Sequence, residues 1–144
     1  MKKVLISLSF LTSLGFSFEF NPQLQVYVQA LENEAKKQNT NFKAFNYTRG
    51  EKIFTSKHIG KKGKLISCTS CHTNDITQKG KNISTGKVIE PISPNANPKR
   101  FTKVKEVKKW LRRNFRDVYK RVGTAEEKGD VITYIKKSKI KDTL

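Results

Sequence analysis

Methionine is almost missing from this chain: Met1 is the single copy. Cysteine and histidine are nearly as scarce, with two residues each. A zinc knuckle needs four ligands at short spacing, and beyond Cys68, Cys71 and His72 the chain offers only His58, ten residues upstream of Cys68. Acidic side chains are few, 12 against 30 basic ones, for a formal net charge of +18. That excess raises the local concentration of acidic partners such as nucleic acid, anionic lipid or an acidic protein. A surface merely solvated by lysine gives the same count. No stretch alternates at period two for long enough to build a sheet, and no internal repeat is present. With 144 residues, 35% of them hydrophobic, the chain is one small domain, of a size that often needs a cofactor, metal or disulfide to complete its core.

The one sustained apolar run, from Val4 to Phe16, is too short to span a bilayer. Lys2 and Lys3 precede it, and the small residues Gly15 and Ser17 follow. This is the layout of a secretory signal peptide cleaved after Ser17, although an uncleaved anchor or a buried first helix has a similar composition. Cleavage removes two lysines and Met1, leaving a mature chain of net charge +16 with no methionine. Its place is then the periplasm, with no stable membrane insertion. Secretion also argues against nucleic acid as the partner.

Beyond the leader the pattern is mostly α. Asn21-Pro22 starts a helix whose apolar stripe is Leu24, Tyr27, Val28, Leu31 and Ala35. Residues 39–49 are polar and loop-like, with Phe42 and Phe45 as packing residues, and Gly50 to His58 forms a short helix. GKKGK, at 60–64, is an exposed turn. Residues 73–101, broken by Gly80, Gly86, Pro91, Pro94 and Pro98, are ordered loop. Thr102 caps a helix with the stripe Val104, Val107, Leu111, Phe115 and Val118, and with Trp110 beside it in the core. Thr124 and Glu127 form a capping box for the last helix, which turns Val131, Tyr134 and Ile135 inward.

The two cysteines stand as Cys68-Thr-Ser-Cys71-His72, the C-x-x-C-H pattern of covalent haem attachment. One turn of backbone brings both thiols beneath the two vinyl groups on one porphyrin edge. The adjacent imidazole of His72 then reaches the iron as proximal ligand. A thioredoxin-like motif expects a strand before it and a helix after it, which the flanks lack. A plain disulfide leaves His72 without a purpose. The expected cofactor is one haem c.

The same residues resemble the class I c-type cytochromes, small helical domains around one haem. Gly50 and Phe54 match the glycine and aromatic of the opening helix, and Val131 and Tyr134 match their partners on the closing helix. The segment KHIGKKGKLIS lengthens the spacing to Cys68 and is an inserted loop. Within the class, GEKIFTSKH, CTSCHT, TGKVIEPISPNANPKRF, VKKWLRRNFRDV and TAEEKGDVITYI resemble the sphaeroides haem protein group over about residues 47–136. That resemblance implies an oxygen-binding monohaem protein with an asparagine as sixth iron ligand, Asn97 in the matching place here. It also implies a disulfide in some members, at positions occupied here by Phe115 and Gly123. The domain plan is a leader at 1–17, a helical extension and linker at 18–46, the haem domain at 47–138 and a tail at 139–144.

Two functions compete on these grounds. In one, a weak and displaceable distal ligand leaves the iron open to a diatomic gas, oxygen or nitric oxide, and electrons pass to or from a partner cytochrome with an acidic surface. In the other, the chain is a conventional electron carrier with two strong axial ligands, His72 and either His58 or a lysine. Asn95 competes with Asn97 within its loop, and either residue has the alternative role of a turn cap beside proline. Arg100, Arg112 and Arg113 suit haem propionates or a solvated helix face equally. No residue is assigned a catalytic role.

Overall fold

The computed structural model describes residues 18–137. The leader expected at 1–17 and the tail expected at 139–144 lie outside those residues. No helix among the described residues is long and apolar enough to cross a membrane.

The chain is mostly α, as its periodicity predicts. Helix α1 spans Pro22–Gln38 and starts as expected, the Asn21 side chain accepting a hydrogen bond from Leu24 N at 2.9 Å. Its stripe of Leu24, Leu31 and Ala35 is fully buried. Helix α2 spans Tyr47–Thr55, earlier than the expected 50–58. Asn46 explains the shift: its side chain caps the helix by accepting from Arg49 N at 2.9 Å, and that signal was hidden in a stretch polar enough to pass for loop. His58 therefore falls outside the helix, in a two-stranded hairpin of β1 (His58–Ile59) and β2 (Leu65–Ile66). The lysine-rich turn between the strands has Gly63 at φ +73°, a conformation that favours glycine.

A single turn, α3 (Thr69–His72), follows. The loop from 73 to 101 is irregular apart from a second two-residue pairing, β3 (Gly80–Lys81) with β4 (Val88–Ile89). Helix α4 spans Val104–Tyr119, and Thr102 does not cap it. The Thr102 hydroxyl instead donates back to Lys99 O at 2.9 Å, and no side chain caps this helix. Trp110, expected in the core, is 43% exposed, because the helix turns Leu111, Phe115 and Val118 inward instead. Helix α5 spans Ala125–Lys137 and has the expected capping box: Glu127 N donates to Thr124 Oγ1 at 3.1 Å, and Thr124 N to Glu127 Oε2 at 2.8 Å.

Two apolar clusters meet on α5. One joins α1 to α5 through Leu31, Ala35, Phe42, Ala125 and Ile132, with the rings of Phe42 and Phe45 5.3 Å apart closing the gap. The other joins α2, α4 and α5 through Phe54, Phe115, Val131, Tyr134 and Ile135, with Ile76 from the loop. At about 1.5–3 kcal/mol per large apolar side chain, these clusters are the main favourable contribution to the fold. At the α2–α5 crossing a Cβ on Gly50 would lie 2.1 Å from Asp130 O, so only glycine admits the approach. There Arg49 Nε meets the buried Asp130 carboxylate at 2.7 Å and Asn46 N donates to it at 2.6 Å. Phe115 and Gly123, the positions that resemble a bridge in related chains, are neighbours: a Cβ on Gly123 would lie 2.8 Å from the Phe115 ring. An aromatic contact fills the place of the missing disulfide.

Candidate haem site

The motif sits where the second cluster opens onto the loop. Cys68 has helical backbone angles and packs against that cluster, and α3 ends at Thr73, whose φ of +64° turns the chain away after His72. The motif backbone is fixed by its neighbours. Ser67 N donates to Ser70 Oγ at 3.0 Å, and the Thr73 hydroxyl donates to Asp75 O at 2.7 Å. β3 passes so close that a Cβ on Gly80 would lie 2.0 Å from Cys71 O. The amides of Ile92 and Ser93 both donate to Ile76 O, at 3.2 and 3.1 Å, which folds the later loop onto the segment after the motif.

The electrostatics suit a metal ligand beside a protonated Cys68 thiol. Burial, with a smaller contribution from the Arg100 guanidinium, pulls the His72 imidazole down to about 4, so the ring is neutral at pH 7. A neutral imidazole is the form that binds iron. Burial, with the neighbouring Cys71, pushes the Cys68 thiol up to about 12. Cys68 and Cys71 are both free here. Among the described residues no three of His, Cys, Asp and Glu gather as a metal cluster, against the zinc reading. Phe54 lies 6.0 Å from the His72 ring, centroid to centroid, and offers an apolar wall. Free paired thiols one turn apart, a neutral histidine and an apolar cluster beside them fit a haem group.

Asn97 lies in the later loop. Its Nδ2 donates to Pro91 O at 3.1 Å and its Oδ1 accepts from Lys99 N at 3.2 Å. Arg100 Nε donates to the same Pro91 carbonyl at 2.8 Å, and Arg100 is the cation that bears on His72. Both ends of the Asn97 amide are thus engaged within their own loop. His58 stands elsewhere, its ring 4.2 Å from that of Tyr119 on α4. Its Nε2 is buried with no hydrogen-bond partner among the described residues. Ile53, His58 and Tyr119 line a cavity of about 590 Å³. Asn114 was overlooked in the sequence. It is half-buried on α4 beside Phe115, and its amide makes no hydrogen bond among the described residues. A neutral polar residue flanking the apolar stripe of an amphipathic helix was the available signal.

With this geometry the relatives are informative. A family model described as a domain of unknown function, DUF1924, matches residues 40–135. Cytochrome c-type protein SHP of Cereibacter sphaeroides is 42% identical over 87 residues, 60% of this chain and 67% of that protein. Cytochrome c'' of Methylophilus methylotrophus is 36% identical over 103 residues, 72% of each chain. The chain belongs to their family. Its fold agrees: the crystal structure of oxidised cytochrome c'' matches with a TM-score of 0.73 at 32% identity, covering 81% of this chain and 95% of that one. The structure of oxidised SHP, described as an oxygen-binding cytochrome c, matches at 0.67 and 36%, covering 82% and 97%. The protein is therefore a small helical monohaem cytochrome of the sphaeroides haem protein group, and its cofactor is covalent haem c.

Proposed function

We propose that this is a periplasmic cytochrome whose sixth iron position is weakly held, so that a diatomic gas, oxygen or nitric oxide, can enter, and which exchanges electrons with an acidic partner protein. Cys68 and Cys71 form the two thioethers, and the neutral imidazole of His72 is the proximal ligand. Haem bound there supplies an iron that cycles between ferric and ferrous states. The observation that carries the reading is the missing methionine: residues 18–144 contain none, so the strong His/Met pair of common carriers cannot be built. The name of SHP, an oxygen-binding cytochrome c, supports the same direction.

The weak ligand is a side-chain amide, a neutral oxygen donor poorly suited to ferrous iron. Asn97 is the residue that the family pattern suggests. To serve, it must release both Pro91 O and Lys99 N. Asn114 competes with it and needs no such release. The second reading, a carrier with His72 and His58 as two strong ligands, is favoured by the unpartnered Nε2 of His58. Ferric spectra of Asn97→Ala, Asn114→Ala and His58→Ala separate these readings. The proposal expects one asparagine variant to change the spectrum and His58→Ala to leave it unaltered. A low-spin bis-histidine spectrum that disappears in His58→Ala overturns it.

A further inference from the structure

The β1–β2 hairpin carries a sequence feature that the haem site leaves unexplained. Between Glu51 and Asp75 there is no acidic residue, while Lys57, Lys61, Lys62 and Lys64 crowd into the hairpin. All four are exposed, and none pairs with a carboxylate among the described residues. Elsewhere Lys36, Lys79 and Lys109 each find a glutamate while Lys37, Lys43 and Lys105 do not, so the hairpin is set apart by its density of lysines with no acidic neighbour in sequence. Within this cationic ring sits an apolar pair: Ile59 and Leu65 are cross-strand partners, 53% and 59% exposed. The hairpin is held firmly. Lys61 N donates to Asp117 O at 2.8 Å, and a Cβ on Gly60 would lie 2.6 Å from that carbonyl, so the turn is clamped to α4. It runs directly through Ile66 and Ser67 into Cys68.

We infer that this hairpin is the docking seat for an acidic one-electron carrier protein, with Ile59 and Leu65 as its apolar centre and the four lysines as its steering rim. The inference rests on the partner part of the proposed function and assigns it a place. Charge complementarity selects the occupant: an uncompensated cationic rim accelerates encounter with an acidic surface. The scale selects a protein over a bilayer. Two aliphatic side chains suit the small interfaces of transient redox pairs, whereas stable seating on a membrane surface needs a longer apolar face. Position makes the seat useful, since a partner there lies beside the haem-bearing cysteines. One electron passes from the reduced partner, which is oxidised, to the ferric iron, which becomes ferrous. No atom or proton moves with it.

The test uses the exported holoprotein and an acidic [2Fe–2S] ferredoxin as the probe. Two triple variants carry the same charge change: Lys61→Glu, Lys62→Glu and Lys64→Glu on the hairpin, and Lys37→Glu, Lys43→Glu and Lys137→Glu elsewhere. Circular dichroism and haem absorbance establish that both are folded. Two quantities are read at low ionic strength, the rate of iron reduction and the affinity of the ferric protein for oxidised ferredoxin. The hairpin triple is expected to lower both by about tenfold or more, and the distant triple by less than about threefold. Ile59→Ser with Leu65→Ser is expected to weaken affinity without changing its salt dependence. Equal losses in the two triples overturn the seat while leaving an acidic partner in place. A wild-type rate indifferent to salt, unchanged in both triples, overturns the partner reading as well. Loss of binding to phosphatidylglycerol vesicles in the hairpin triple, with an unchanged ferredoxin rate, overturns the seat in favour of a lipid surface.

Discussion

Where α2 crosses α5, the chain supplies everything the contact needs. Gly50 admits the Asp130 backbone, the Phe54 and Tyr134 rings pack at a tilt with centroids 5.3 Å apart, and Arg49 neutralises a carboxylate that is 2% exposed. Between Ser67 and Arg100 the stabilisation is different. Ile76 is the one large aliphatic side chain fully buried there, and Ser67, Thr77 and Ser93 are buried polar residues. That stretch is held by hydrogen bonds to turns and carbonyls, each worth about 1 kcal/mol net, with no helix ladder behind them. The contrast implies a scaffold that folds on its own contacts and a bed that is completed by the haem it holds.

The largest effect that would test this contrast comes from the motif. Cys68→Ala with Cys71→Ala is expected to abolish covalent haem, seen as loss of one haem mass in the exported, leader-free protein. Amide exchange should then accelerate across 67–101 far more than in α2 and α5. Uniform acceleration would show that the scaffold also depends on haem. Next, Arg49→Ala leaves a buried carboxylate unpaired and should destabilise the fold by about 3 kcal/mol, measured by denaturant unfolding. A loss below about 1 kcal/mol would mean that the crossing is not held as described.

Gly80→Ala acts on the other region. Its Cβ would meet Cys71 O, so it should cost about 1–3 kcal/mol and reduce haem incorporation, read from absorbance per protein. The smallest effect belongs to Glu127. The hydrogen bond from Arg121 holds its carboxyl below the usual 4.5, opposed by burial and helped by Thr124. That depressed value gives stability present above the unfolded carboxylate range and lost as pH falls through the folded value. Glu127→Gln should therefore cost about 1 kcal/mol at pH 7, and the difference from wild type should shrink as pH falls below the usual carboxylate range. A constant difference across that range would remove the ion pair from the account.

Local chemistry made much of this readable from sequence. The Cys68–His72 motif and the α1 and α5 starts depend on neighbours a few residues apart or on helical period, whereas the pairing of Gly50 and Phe54 with Val131 and Tyr134 comes from the resemblance to class I cytochromes. What escaped depends on distant partners. Arg49 finds Asp130 81 residues away, and Tyr119 donates to Ile53 O at 2.6 Å across 66 residues. Trp110 lies beside the apolar stripe in sequence yet faces solvent, where Lys109 and Arg113 approach its ring. The Asn97 loop shows the same limit. Its proline-bounded pattern is visible, but the hydrogen bonds that engage its amide come from the folded turn. The KHIGKKGKLIS segment reads as an inserted loop from its length against the class I spacing, and its pairing escapes notice because its strands are two residues long, too short for any alternation to register.

The central claim is a haem iron whose sixth position is weakly held, and carbon monoxide added to the reduced protein tests it most directly. The account predicts a ferrous spectrum of a five-coordinate iron and rapid conversion on mixing with the gas. A six-coordinate, low-spin ferrous spectrum that carbon monoxide leaves unchanged would contradict it and make the protein a carrier with two strong ligands.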